Sequence, residues 1–378
     1  MVGSVAFVAA PYGYGPTSKA IAIASYLPKE IHSTFLGDGP PLQLARSSGV
    51  FSSHFCLPLN TEANKAGEYL KQFDVLVFVN STRFITAALA KTIKIVLVET
   101  LAWLRDAAPA CHPLLSAFFA QKFFDYKFPN KLTDLENFHE VGVVAPASIT
   151  GFVGRGRVPR SFQRKQPLIQ CGGLYSANMI NGADELFLSK TCDVVTGVSP
   201  RSRFVIPGRL RRRATSCATQ EVELIEASPL SIHEHLYGSE FALNTSGIEF
   251  TYEAILMRVP VLFLPPFNAS QALQLDYHLR NNPSGVLFEQ KNDHESSKFV
   301  GLHVMSGRIQ EEGMKGAWKT QFSQLLDRFN SFGVVEKKKY LNELSASQQL
   351  MMSNLRLDGA REIAEHCLEQ FGLRSVVR

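Results

Sequence analysis

SEFALNTSGIEFTYEAILMRVPVLFLPPFNASQALQLDYHL, residues 239–279, reads as strand, turn, helix, strand. An apolar run ends at Asn244, Thr245-Ser246-Gly247 supplies turn residues, a segment of helical length covers about 248–258, and a second apolar run covers 259–264. That order is the unit of a parallel α/β sheet. Ligands of open parallel sheets sit beyond the carboxyl ends of the strands, where Ser246, Gly247 and the 266–271 segment fall. Glu253 lies on the helix after the turn. A carboxylate there can accept both ribose hydroxyls of a nucleotide, a charge-assisted bidentate role. The competing reading is an exposed helix glutamate; the fixed spacing from Ser246-Gly247 favours ribose.

Outward from this unit, strand-length apolar runs alternate with amphipathic segments along the chain. In the same half stand LIQC (168–171), CDVVTG (192–197), RFVIPG (203–208) and VELIE (222–226). The other half has SVAFVA (4–9), STFLG (33–37), DVLVFV (74–79), IKIVLV (93–98) and EVGVVA (140–145), with helices expected near 17–27, 62–72, 82–91 and 113–121. Between the series, GFVGRGRVPRSFQRKQP (151–167) is rich in Gly, Arg and Pro and has no apolar periodicity, as a linker would. The expected class is α/β, two Rossmann-like domains whose parallel sheets face a central cleft. The 378 residues divide into an N-terminal domain over 1–150, a linker over 151–166, a C-terminal domain over 167–334, and helices over 335–378 packing back across the cleft.

Each series opens on a glycine turn. In APYGYGPTSKAIAIASYL (10–27), Gly13 and Gly15 allow a sharp turn off the strand, and Pro16 suits a first helical position. The amides that follow favour an anion or a sugar hydroxyl. A plain strand-to-helix turn explains this motif equally well, and the Gly-Lys-Ser/Thr ending of a Walker loop is missing. In LIQCGGLYSANMINGADELFL (168–188), Gly172-Gly173 let the backbone approach a ligand, and the amides of Tyr175 and Ser176 can face a phosphate.

TSGIEFTYEAILMRVPVLFLPPFNASQALQLD resembles the nucleotide-sugar signature of GT-B glycosyltransferases. It is closest to the inverting branch of the lipid-II-forming N-acetylglucosaminyltransferases and the UDP-glycosyltransferases. Ser246, Gly247, Thr251, Glu253, Pro260, Pro266, Gln271 and Gln274 or Asp276 match that pattern, and Gly172, Gly173 and Asn181 match the turn that opens the family's C-terminal domain. The resemblance implies a hexosyl- or N-acetylhexosaminyltransferase with a nucleotide-sugar donor, UDP-sugar favoured, and a small-molecule or lipid-linked acceptor. No metal or other cofactor is required, because helix dipoles can carry the leaving diphosphate. Pro16 stands where many inverting members have a His that serves the catalytic base, and Thr245 stands where the retaining branch commonly has a second Glu. The second departure favours inversion. The first keeps alive a silent nucleotide-sugar-binding partner protein, and the shared architecture keeps alive a sugar-nucleotide 2-epimerase.

Direct displacement needs a base for the acceptor proton and electrostatic help for the diphosphate. Candidates for the base are Asp38 after STFLG, Glu99 at the end of IKIVLV, Asp106 and His112, each with a structural reading beside the catalytic one. Arg201, Arg203 or Arg209 can assist the diphosphate. HPLLSAFFAQKFFDYKF (112–128) combines five phenylalanines with Lys122 and Lys127, so a peripheral contact with an anionic bilayer stands against a core helix, and the core is preferred. His233 and His235 fit a surface helix turn better than a metal site.

Composition closes other classes. Apolar residues make up 45% and charged residues 19%, a folded globular balance. The net charge of +5 gathers partly in Arg155, Arg157, Arg160, Arg164 and Lys165 and in Arg209 and Arg211 to Arg213. Without stacking aromatics between them, these predict a solvated linker and loop and no nucleic-acid partner. The six cysteines lie far apart, with no CxxC pair, which fits reduced thiols in a cytoplasmic protein. Val259 to Leu275 is interrupted by prolines and amides and is no membrane span.

Overall fold

The computed structural model describes residues 3–58, 60–154, 166–172, 174, 180–195, 202–206, 210, 222–225, 231–281, 306, 309–311 and 318–373. The chain forms two compact units, Met1–Thr150 with Asn354–Arg378, and Gly151–Ser353.

The first unit is built on a seven-stranded sheet, β1 (Ser4–Ala9), β2 (His32–Gly37), β3 (Ser53–Cys56), β4 (Val75–Val79), β5 (Lys94–Glu99), β6 (Ala117–Gln121) and β7 (Phe138–Val141). The spatial order is β3-β2-β1-β4-β5-β6-β7 with every pairing parallel. The order reverses between β1 and β4, whose register runs from Val5 opposite Val75 to Ala9 opposite Val79. All five residues of VLVFV in β4 are buried, as in a parallel sheet covered on both faces.

The second unit repeats the plan with β8 (Gln166–Gln170), β9 (Ser202–Val205), β10 (Val222–Ile225), β11 (Ser239–Asn244) and β12 (Val261–Phe263), ordered β10-β9-β8-β11-β12 and parallel. Here the reversal falls between β8 and β11. Beside β12, Gln348 on helix Val334–Met351 accepts the amide of Val261 at 2.9 Å and donates to its carbonyl at 2.8 Å, doing for this edge what another strand would.

Three expectations change. The helix expected over 113–121 is β6; AFFAQ is buried throughout, so it lacks the alternation that marks a half-buried strand. The strand expected over 192–197 is instead, as far as it is described, the end of helix Ala183–Val195. Phe187, Leu188, Thr191 and Cys192 bury one helical stripe, and acidic residues in the first turn complement the dipole. The EVGVVA strand shifts to β7 and ends at Val141. Helix Ala147–Gly154 runs into the expected linker and β8 begins at Gln166, while 155–165, with their basic cluster, lie outside the described residues.

All five phenylalanines of 112–128 (Phe118, Phe119, Phe123, Phe124 and Phe128) are buried, as the preferred core reading expects. Among the described residues no helix is long and apolar enough to cross a membrane.

The C-terminal residues divide: helix Val334–Met351 belongs to the second unit and helix Gly359–Gln370 to the first, where it packs against helix Gly15–Ala24 and β7. His366 on that last helix meets His139 on β7 at 5.0 Å between ring centroids, with Phe119 and Phe371 around them. Burial lowers both imidazoles from their ordinary ~6.5, and His139 lowers His366 further against the opposing pull of Glu369. The folded state thus resists protonation, so this cluster stabilises fully above pH ~6.5 and loses its contribution as the pH falls below that. The melting temperature is expected to drop between about pH 7 and about pH 5. His366→Phe, which keeps a ring and removes a titration, should shrink that drop; an undiminished drop would place the acid sensitivity elsewhere.

Candidate functional site

Crevices beyond the carboxyl ends at a reversal of strand order are where open α/β sheets bind ligands. In the second unit that place is held by a chain of hydrogen bonds. Gln170, the last residue of β8, accepts the amide of Gly172 at 2.8 Å, and Gly172 turns the chain with φ +71°. A Cβ at Gly172 would lie 3.4 Å from Nε2 of Gln271 and 3.6 Å from Oγ1 of Thr245, so this turn abuts the one after β11. Gln271 donates from Nε2 to Oγ1 of Thr245 at 3.1 Å, accepts the amide of Phe267 at 2.7 Å, and gives its carbonyl to the Ser246 hydroxyl at 2.7 Å. Asn268 accepts the amide of Gln271 at 3.0 Å and so caps helix Ala269–Asn281.

Ser246 has φ +26°, a strained conformation for a residue with a side chain, and its buried hydroxyl bond holds it there. The next residue, Gly247, opens helix Ile248–Leu256, and no side chain caps that N-terminus. Helix N-termini of this kind can receive an anion, although Glu249 in the first turn brings a negative charge of its own. Thr251 is buried, held by Asn244 Nδ2 at 2.9 Å, and Glu253 lies half-buried farther along the same helix. Gln274 is buried on the Ala269–Asn281 helix. Behind the site on that helix, burial pushes His278 down to about 3 while it stacks on Phe263 at 4.3 Å, so no charge enters there at neutral pH.

Sequence reading gave Gln170 no role and took Asn244 and Thr245 only as strand end and turn, yet the three side chains build this crevice. The signal was present: a polar residue closes each strand just before its glycine turn, as in LIQCGG and LNTSG. Gly173, Tyr175, Ser176 and Arg209, named from the sequence, lie outside the described residues, as do Arg201 and Arg211 to Arg213. Arg203 points to the other edge of the sheet. Its Nη2 donates to the carbonyl of His235 at 2.8 Å and to Ser239 Oγ at 3.0 Å, at the amino end of β11, and so serves the C-terminus of helix Ile232–Tyr237 rather than a diphosphate.

In the first unit, Gly13 (φ +62°) and Gly15 lead from β1 into helix Gly15–Ala24, whose N-terminus has no side-chain cap. Asn80, beyond β4, takes φ +53° and clasps Thr100 beyond β5 through two bonds of 2.9 and 2.8 Å. The four candidate bases separate. Asp38 is half-buried beyond the carboxyl end of β2, beside β1. Glu99 ends β5, but both of its oxygens accept from the Arg105 guanidinium. Asp106 is exposed in the loop that follows. His112 bonds Asn137, which precedes β7, so it lies at the amino-terminal edge of the sheet. Among the described residues no group of three or more His, Cys, Asp or Glu is placed to hold a metal ion.

No protein-family model matches the sequence, and no curated protein matches it. Solved structures do. MnaA of S. aureus with UDP aligns with TM-score 0.55 at 12% identity, over 99% of this chain and 98% of that one. MurG of Acinetobacter baumannii aligns with TM-score 0.53 at 11% identity, over 96% and 98%. UGT2 of Phytolacca americana, complexed with UDP-2fluoro-glucose and pterostilbene, aligns with TM-score 0.51 at 13% identity, over 98% and 100%.

The fold is GT-B. Two Rossmann-like domains in one chain carry it, each with its own reversal of strand order and its own glycine turn. In this GT-B chain, residues of positive φ other than glycine mark both crevices: Asn80 in the first domain, Leu174 and Ser246 in the second.

Proposed function

We propose that this chain is a glycosyltransferase that moves a sugar from a nucleotide-sugar, a UDP-sugar, to a small-molecule or lipid-linked acceptor with inversion. The observation that carries the reading is the uncapped helix N-terminus at Ser246-Gly247, beyond the carboxyl end of β11, with Glu253 on the same helix. The UDP in the MnaA structure and the UDP-2fluoro-glucose in the UGT2 structure support the choice of nucleotide.

In this reading the amides at Gly173, Tyr175, Ser176 and Gly247 receive the diphosphate, while Gly172, whose amide is engaged by Gln170, shapes the turn. Glu253 accepts the ribose hydroxyls, and Gln274 lies toward the sugar. Gln271 acts mainly by fixing the Thr245-Ser246 turn, since its amide oxygen and one amide N–H are already engaged. Thr251 holds the start of the helix through Asn244. Gly13 and Gly15 shape the acceptor side. Asp38 is taken as the base, since it stands beyond the carboxyl end of β2, whereas His112 lies at the opposite edge of the sheet. The acceptor hydroxyl gives its proton to Asp38, its oxygen bonds to the anomeric carbon, and the bond from that carbon to the diphosphate breaks with its electron pair. The helix amides stabilise the departing charge.

UDP is expected to raise the melting temperature, since a ligand bound only by the native state stabilises it by mass action. Glu253→Ala should weaken UDP binding by about 1–3 kcal/mol with the fold intact. UDP without effect, or undiminished affinity in the variant, defeats the nucleotide assignment. A UDP-sugar consumed without any acceptor would replace transfer by isomerisation.

A further inference from the structure

A cavity of about 550 Å³ opens where the chain leaves β6, within the first unit, and neither glycine turn borders it. Tyr126 and Phe128 come from the loop after β6, Glu140 from β7, and Asn130 and Asn354 complete the rim with Lys122. Sites for small molecules measure roughly 300–1,000 Å³, so the space suits one or two sugar rings.

Charge narrows the class of ligand. Two lysines, Lys122 and Lys127, face one aspartate and one glutamate, Asp125 and Glu140, so the lining is neutral in sum. Lys122 Nζ also sits 3.2 Å from Glu140 Oε1. A phosphate or carboxylate ligand calls for an excess of cations, which this lining lacks. A flat apolar ligand calls for mostly apolar walls, and here amides, a hydroxyl and charged groups alternate.

One wall is aromatic and fixed. Tyr126 and Phe128 lie 6.0 Å apart between ring centroids, and Tyr126 lies 6.2 Å from Trp103, which is itself stacked on Phe123 at 4.0 Å. A pyranose answers both features. Its C–H face packs on the electron-rich face of an aromatic ring, and its hydroxyls donate and accept at once.

We propose that this cavity binds a pyranose ring of the acceptor, which is therefore itself a sugar or glycoside. The word acceptor rests on the glycosyltransferase reading; the binding of the ring does not. The test is calorimetric titration of the full chain, without nucleotide, with methyl β-glucopyranoside, N-acetylglucosamine and chitobiose. At least one should bind saturably, and Tyr126→Ala and Glu140→Gln should each weaken it by about tenfold or more while UDP affinity stays unchanged. Glu140 is exposed on an edge strand, so its conservative replacement keeps the test valid if Tyr126→Ala fails to fold. No saturable binding by any of the three sugars, or binding that Glu140→Gln retains in full, overturns the proposal. Sugar binding without UDP binding would sink the donor assignment and leave this site standing, and the reverse result would do the opposite.

Discussion

Arg105→Met is expected to cost about 3–5 kcal/mol of stability, the usual loss when one partner of a buried ion pair is removed. Glu99 is 3% exposed at the end of β5, and the Arg105 side chain over it keeps only 14% of its surface. The guanidinium meets both carboxylate oxygens through Nε and Nη2. Methionine fills similar volume but leaves the carboxylate desolvated and unpaired. The double variant Glu99→Gln with Arg105→Met should regain much of the loss, since replacing both charges removes the stranded one. Urea unfolding of the three proteins measures this directly. A single-variant loss below about 1 kcal/mol would mean that solvent screens the pair as at a surface. A further single variant bears on catalysis: if Glu99→Gln abolished transfer while leaving stability untouched, the base would move from Asp38 to Glu99.

Gly359→Ala should destabilise the first unit by at least the upper end of the ~1–3 kcal/mol typical of overpacking. Its Cβ would fall 2.3 Å from the carbonyl oxygen of Gly142. From the other side, a Cβ at Gly142 would lie 2.4 Å from the carbonyl oxygen of Arg356. Both obstacles are backbone, so no side chain can rotate away. The helix Gly359–Gln370 must lift, straining the bond from the Val143 amide to the Arg356 carbonyl and the packing of Ala360, Ile363, Ala364 and Cys367. Gly67 supplies the contrast. It lies in helix Ala63–Leu70 with nothing within 4 Å of an added Cβ, so Gly67→Ala should stabilise by roughly 0.5–1 kcal/mol. Two Gly→Ala changes of opposite sign in thermal unfolding would support the packing argument; a neutral Gly359→Ala would refute it.

Legibility along the chain followed local chemistry. SVAFVA matches β1 residue for residue because an apolar run between polar ends and a glycine turn has one reading. β3, SHFC, went unseen because it is a short, largely polar edge strand whose place comes from pairing with β2. β6 was seen as apolar but given the wrong period, since a strand buried on both faces has no alternation to show. At the site, Gly172, Ser246, Gly247 and Glu253 stood out as residue types with special backbone or charge chemistry. Gln271 stood out too, but its side chain is engaged by Thr245 and Phe267, a use that no local pattern displays.

By itself, the sequence determined two α/β halves, two glycine turns and a strand-turn-helix-strand unit with a carboxylate on its helix, because each depends on periodicity and on what single residue types permit. Tertiary structure alone decided which strands are neighbours, and with that where the order reverses and the crevices open. It also decided which candidates were available: Glu99 meets Arg105 six residues on only because the loop folds back, and His112 lies at the far edge only because β6 and β7 run parallel beside it. The reason is physical. Periodicity is carried within a few residues of chain, whereas sheet order and the pairing of buried charges arise from contacts between segments far apart in sequence.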